Sequence, residues 1–234
     1  MLREIHPNTL WEYEEPFSLL CIPIGARMVI VRLAGGPHEG ELWVYSPFEV
    51  SDEVARTIKN LGTVRSIVVS TPMHTTQVVP FVQRFPQAEL WVIPEAQSKV
   101  KVEGQHALNA VPEAWRADFD ALRFDASLLL KEWVFLHRAT RTLIVTDLAM
   151  NVPQPTQPLP ALGAKLAGIG GKCGLSRLEK TSIILALGQH AKARRQISTI
   201  LKWDFDRLIM AHGDIVETGG KAALRVAYRW LLHS

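Results

Sequence analysis

Apolar positions come in short alternating runs near the start of the chain and in helical or blocklike patterns after residue 50, so the period changes along the sequence. Residues 17–22, 27–33 and 41–46 predict short strands, joined by turns at Pro23, Gly25 and the glycine-rich stretch 35–40. Connections this short predict antiparallel pairing. From Ser51 the spacing turns helical. Ser51 is an N-cap with Asp52 and Glu53 in the first turn, Val54, Ile58 and Leu61 follow at helical spacing, and Gly62 ends the element. Residues 64–70 (VRSIVVS) predict a buried strand, Thr76 to Phe85 a helix that tolerates Pro80 near its first turn, and 89–93 (ELWVI) another strand. Strand, helix and strand in that order predict parallel pairing with a right-handed crossover.

Residues 95–127 have no clean period and read as loop or short helix. Beyond them, 128–136 (SLLLKEWVF) and 141–146 (RTLIVT) predict two paired strands. Four prolines in 151–160 (NVPQPTQPLP) predict a loop or lid without regular structure. The stretch GIGGKCG at 168–174 lacks the spacing of a phosphate-binding loop and predicts a flexible loop instead. Helices are predicted over 176–189 and 191–203, the second with Ile197, Ile200 and Leu201 on one face. A strand at 207–211 follows, then a closing helix built on Leu224, Ala227, Tyr228 and Leu231.

Composition narrows the class. With 234 residues, 47% of them hydrophobic, the chain is expected to form one domain over 1–234 and to bury its core without disulfides. Its two cysteines, Cys21 and Cys173, form no Cys-x-x-Cys pair, which favours a reducing compartment and a cytoplasmic address. The first fifteen residues scatter their charges and carry no apolar run, so no secretory signal is expected. No stretch approaches the roughly 18 apolar residues of a spanning helix, so no membrane insertion is expected either. The net charge of +3 is small, and Lys192, Arg194 and Arg195 read as a solvated helix face; nucleic acid is not an expected partner.

Three apolar runs end in residues that bind metals: IVVSTPMH at His74, LIVTD at Asp147 and LIMAHG at His212. Strands of α/β sheets deliver functional side chains at their carboxyl ends, and imidazole with carboxylate suits zinc, iron or manganese. Each residue also has a plain structural reading. His74 can cap the helix after it, Asp147 can accept hydrogen bonds from the loop at 148–152, and His212 can be a polar residue in a turn. Other catalytic patterns have less support. No Gly-x-Ser-x-Gly elbow occurs, neither cysteine has a histidine beside it in sequence, and Asp204 and Asp206 read as a cap and a surface charge.

In their order, TLIVTDL, LIMAHGD with a helix after it, and IVVSTPMHTTQ resemble the motifs of the metallo-β-lactamase superfamily, from about residue 17 to the end. HRATRTLIVTD, His137 to Asp147, resembles a branch of that superfamily marked by this segment. The resemblance implies an α/β fold, a four-layer αββα sandwich of mixed sheets, with Asp147 in the place of the metal-bridging Asp and His212 in the final His-Gly motif. Laid on the family's His-x-His-x-Asp-His signature, His74 falls on the second His, while Pro72, Thr76 and Gln77 stand where the other ligands would be. The signature is degenerate, and the family's isolated upstream His has no counterpart at its usual spacing. What remains is a metal-dependent, hydrolase-like protein with a reduced, single-metal site. Its ligands would be His74, Asp147 and His212, with His137 a fourth ligand or a partner that orients them. It would hold one divalent ion (zinc, iron or manganese) and cleave an ester, amide or phosphoester in a small molecule the sequence leaves open. The alternative is a metal-free relic of the fold that serves as a binding or scaffolding module.

Overall fold

The computed structural model describes residues 2–19 and 21–233. In chain order its first strands are β1 (Arg3–His6), β2 (Leu10–Glu15), β3 (Ser18–Leu19), β4 (Ile22–Pro23), β5 (Ala26–Arg32), β6 (Leu42–Tyr45), β7 (Val64–Val69), β8 (Glu89–Val92) and β9 (His106–Ala107). Helices α1 (Asp52–Leu61) and α2 (Val78–Arg84) flank β7 in sequence. Strands β10 (Phe119–Phe124), β11 (Glu132–His137) and β12 (Thr142–Ile144) follow, then helices α3 (Pro158–Ala167), α4 (Arg177–Ile184) and α5 (His190–Ile200). Strand β13 (Arg207–Ile209) and helices α6 (Gly220–Ala227) and α7 (Arg229–Leu232) close the chain. The elements gather into two compact units, Met1–Glu14 with Arg27–Phe119, and Glu15–Ala26 with Asp120–Ser234.

The first unit is built on a mixed sheet of order β1-β2-β5-β6-β7-β8-β9. Strands β5 and β6 run antiparallel, with Ile30 opposite Val44, whereas β6, β7, β8 and β9 run parallel. In β7, Ile67, Val68 and Val69 are all buried, which is why the sequence shows an unbroken apolar run there instead of an alternating one. Trp43 is fully buried and stacks on Tyr45, while Trp115 meets it edge-on. Helix α1 follows the expected pattern: Ser51 Oγ accepts from the Val54 N–H, and the Gly62 N–H donates to the Ile58 carbonyl. Strands β1 and β2 were not expected from sequence. Their charges hid them, because Glu12 is buried in β2 yet takes hydrogen bonds from both Arg3 and Arg27.

The second unit carries a four-stranded sheet of order β10-β11-β12-β13. Strands β11 and β12 pair antiparallel, with Phe135 opposite Ile144, and β12 and β13 pair parallel, with Ile144 opposite Ile209. Ile183 of α4, Ile197 and Ile200 of α5, and Leu224 of α6 share one apolar cluster with Val134, Leu143 and Leu208 of the sheet. Tyr228 and Leu231 are buried in that cluster as their spacing predicts, although the closing helix breaks at Tyr228.

Several boundaries differ from the expected ones. The strand expected at 17–22 is instead the β3–β4 hairpin, with Leu20 outside the described residues. The proline-rich loop gives way to α3 already at Pro158, since proline at the first turn of a helix forfeits no hydrogen bond. Lys192 pairs with Asp125, and Arg194 Nε donates to the Leu231 carbonyl, so two of the three cations on α5 are engaged within the fold. Among the described residues no helix is long and apolar enough to cross a membrane.

One glycine fixes a close approach in the second unit. Gly213 has φ +80°, and a Cβ built on it would stand 2.3 Å from the backbone carbon and oxygen of Asn151. Its N–H donates to the Ile24 carbonyl at 2.8 Å. Gly213→Ala is expected to destabilise the protein by roughly 2–4 kcal/mol, read by chemical denaturation, because it combines a left-handed backbone with a backbone clash.

Candidate functional site

Strand register brings Asp147 and His212 together. Thr142 lies opposite Arg207 and Ile144 opposite Ile209, and the same offset carried past the strand ends sets Asp147 opposite His212. Both residues are buried, at 6% exposure each, and His212 Nε2 stands 3.5 Å from Asp147 Oδ1. On the other side of the ring, Nδ1 meets the Gly25 carbonyl at 2.6 Å. A carbonyl only accepts, so Nδ1 carries the proton and Nε2 is the nitrogen turned toward Asp147. Phe17 stacks on the imidazole with its ring half-exposed.

The turn that carries Asp147 is held by a residue that the sequence reading passed over. Glu132 of β11 is fully buried and lies on the strand antiparallel to β12. Its carboxylate accepts from the Thr146 N–H at 3.1 Å, from the Thr146 hydroxyl, from the Asp147 N–H at 2.7 Å and from the Leu148 N–H at 3.1 Å. Three consecutive backbone donors, left without a strand partner where β12 ends, thus converge on one side chain. Burial and then the Asp147 charge push Glu132 up to about 7, against the pull of these donors. A signal was available: Lys131-Glu132 interrupts the apolar run SLLLKEWVF, and a charged residue inside a buried strand calls for partners.

Glu179 is a second acid that the sequence reading did not single out. It closes a capping box on α4, accepting from the Ser176 N–H at 2.7 Å while Ser176 Oγ accepts from the Glu179 N–H. Burial and the Asp147 charge raise it to about 7. His212 is opposed by its own burial, yet the hydrogen bond and charge of Asp147 prevail and hold the imidazole above its ordinary value. Burial raises the Cys173 thiol to about 11, which keeps it protonated and unreactive near neutrality.

The other expected site residues lie as follows. His74 belongs to the first unit, in the segment after β7, and its Nδ1 meets Ser46 Oγ at 2.9 Å beyond the end of β6. It does not cap α2, whose N-cap is Gln77. Thr76 and Gln77 are exposed. His137 is fully buried, but it sits opposite Thr142 at the start of β12, the far end from Asp147, and bonds Thr140 Oγ1 at 2.8 Å. The structure therefore does not bring His137 to the Asp147–His212 pair. Arg138 meets Asp120 and Arg141 meets Asp204; the Asp147 turn is held by Glu132.

The Asp147–His212 pair passes a geometric test for a shared metal. Ligand atoms bound at about 2.0–2.1 Å in tetrahedral geometry stand about 3.4 Å apart, close to the 3.5 Å separation here. An imidazole whose second nitrogen is tied to a carbonyl is also oriented as metal-bound histidines are. Glu132→Ala is expected to cost about 3 kcal/mol or more, since it strips four buried donors of their acceptor. Thermal unfolding should show the loss, and Glu132→Gln, which keeps one oxygen, should fall between the variant and the parent.

A family model described as a domain of unknown function (DUF4336) matches residues 7–166. No curated protein matches the chain in sequence. Among solved structures, a metallo-β-lactamase from Pontibacter korlensis superposes with a TM-score of 0.58 at 9% identity, over 100% of this chain and 99% of that one. The metallo-β-lactamase FIM-1 from Pseudomonas aeruginosa, in a mono-zinc form, gives 0.58 at 9% identity over 100% of this chain and 93% of that one. A metal-soaked flavodiiron core of Flv1 from a Synechocystis species gives 0.60 at 11% identity, over 99% of this chain and 60% of that one. At such identities the likeness shows the fold: a mixed α/β, metallo-β-lactamase-like arrangement of sheets and helices.

Proposed function

We propose that this chain, which belongs to the family described as a domain of unknown function (DUF4336), is a metal-dependent hydrolase with a single-metal site. Asp147 and His212 are its anchoring ligands. His74 of the first unit is assigned as the third, because it alone remains of the histidine signature that the sequence resembles. The observation that carries the proposal is the buried Asp147–His212 pair, with a ligand-like 3.5 Å spacing and a protonated Nδ1 that leaves Nε2 for a metal. The likeness to solved metallo-β-lactamases covers all of this chain and supports a fold of the kind that the resemblance implies.

A divalent ion held there would supply a water of lowered pKa and a Lewis acid for the scissile group. The chain's own residues divide the remaining work. Gly25 fixes the His212 tautomer through its carbonyl, and Glu132 fixes the Asp147 backbone. Ser46 Oγ meets His74 Nδ1 at 2.9 Å and orients that ring. Thr76 stands where the resembled signature has a carboxylate, so no acid at that position orients the water. The class of reaction is hydrolysis of an ester, amide or phosphoester.

A metal-free binding module is the second reading, favoured by one fact: Asp147 and His212 also satisfy each other as an ion pair. Elemental analysis separates the two. The proposal expects about one equivalent of zinc, iron or manganese in the purified protein, lost in Asp147→Ala and in His212→Ala. Chelation should lower the melting temperature of the parent and leave the variants unmoved, because a ligand at about a thousand times its Kd adds about 4 kcal/mol to the native state. A parent that stays metal-free after reconstitution would favour the binding module.

A further inference from the structure

The second unit carries a cationic pocket of about 750 Å³ that plays no part in the metal site described above. Lys172 precedes α4, Arg177 and Lys180 lie on it, and Arg229 begins α7; all four line the pocket, and no acidic side chain among the described residues does. None of the four makes an ion pair with an acidic side chain among the described residues. Leu175, Val226 and Trp230 give the same pocket an apolar part. Lys180 Nζ lies 4.9 Å from the centre of the Trp230 ring, and the Trp230 indole N–H is buried without a hydrogen-bond acceptor.

These features point one way. Four clustered cations repel one another and are stabilised by an anion, most strongly by a multivalent one. Guanidinium groups match phosphate oxygens in paired hydrogen bonds. A buried indole N–H without an acceptor is a cost that any acceptor reaching it would remove. The apolar part has no use for an inorganic ion and fits a hydrocarbon or aromatic group. A Cβ on Gly168, whose φ is +72°, would stand 2.5 Å from Arg177 Cγ, so the glycine leaves room for this side chain beside the pocket.

We propose that this pocket binds a phosphate monoester carrying an apolar or aromatic group, with its phosphate on Lys172, Arg177, Lys180 and Arg229 and its apolar part against Trp230. The site is separate from Asp147 and His212, and binding requires no metal.

Calorimetric titration of the full chain with 2-naphthyl phosphate, inorganic phosphate and 2-naphthol tests this directly. Naphthyl phosphate is expected to bind saturably and at least tenfold tighter than either fragment. Arg177→Ala with Lys180→Ala should weaken it at least tenfold, and Asp147→Ala should leave it unchanged. In a nitrogen-15 correlation spectrum one indole N–H should shift on titration, and Trp230→Phe should remove that resonance. Should Trp230→Phe fail to fold, the Arg177 and Lys180 variants, both altered at the pocket rim, still decide the matter. Binding that ignores those cations, or that disappears in Asp147→Ala, would overturn the proposal.

Discussion

Where β12 ends, three successive backbone N–H groups point into a buried environment with no strand to receive them, and the Glu132 carboxylate receives all three. Much of the second unit's chemistry depends on that arrangement. An orphaned buried donor costs about 1–3 kcal/mol, so a carboxylate that receives all three ties the turn to β11. Antiparallel pairing of β11 with β12 brings Glu132 to the turn, and parallel pairing of β12 with β13 brings His212 to the same end. Asp147 is then presented between an acid that holds its backbone and an imidazole that faces its side chain. The Gly25 carbonyl and the close approach at Gly213 fix that imidazole from the other side.

The same geometry explains the electrostatics. Glu132 and Glu179 are both raised toward neutrality by burial and by the Asp147 charge, whereas His212 is held protonated more firmly than in water. Asp147 is thus the charge to which both acids and the imidazole respond.

Much of this was legible in the sequence, and the exceptions share a cause. Ser51, Gly62 and the run Ile67-Val68-Val69 announced α1 and β7 because capping and double-sided burial leave local marks. Asp147 and His212 were legible as the ends of two apolar runs. Strands β1 and β2 were not, since Glu12 is neutralised by Arg3 and Arg27, partners set by the sheet and invisible to a local pattern. Nor were Glu132 as the support of the turn or Gly25 as the partner of His212, whose roles depend on contacts across 15 residues and across 187. His137 misled for the converse reason: ten residues before Asp147 in sequence, it is at the opposite end of the strand pair.

A one-metal centre leaves a spectroscopic signature that neither a two-metal centre nor a bare ion pair can imitate. X-ray absorption at the edge of the bound metal measures it most directly. Two imidazole nitrogens and one carboxylate oxygen are expected at about 2.0–2.2 Å, the remaining position filled by water. One imidazole should be lost in His74→Ala and one in His212→Ala, with no second metal in the next shell. A metal–metal vector near 3.5–4 Å, or a metal whose ligation is unchanged in both variants, would contradict it.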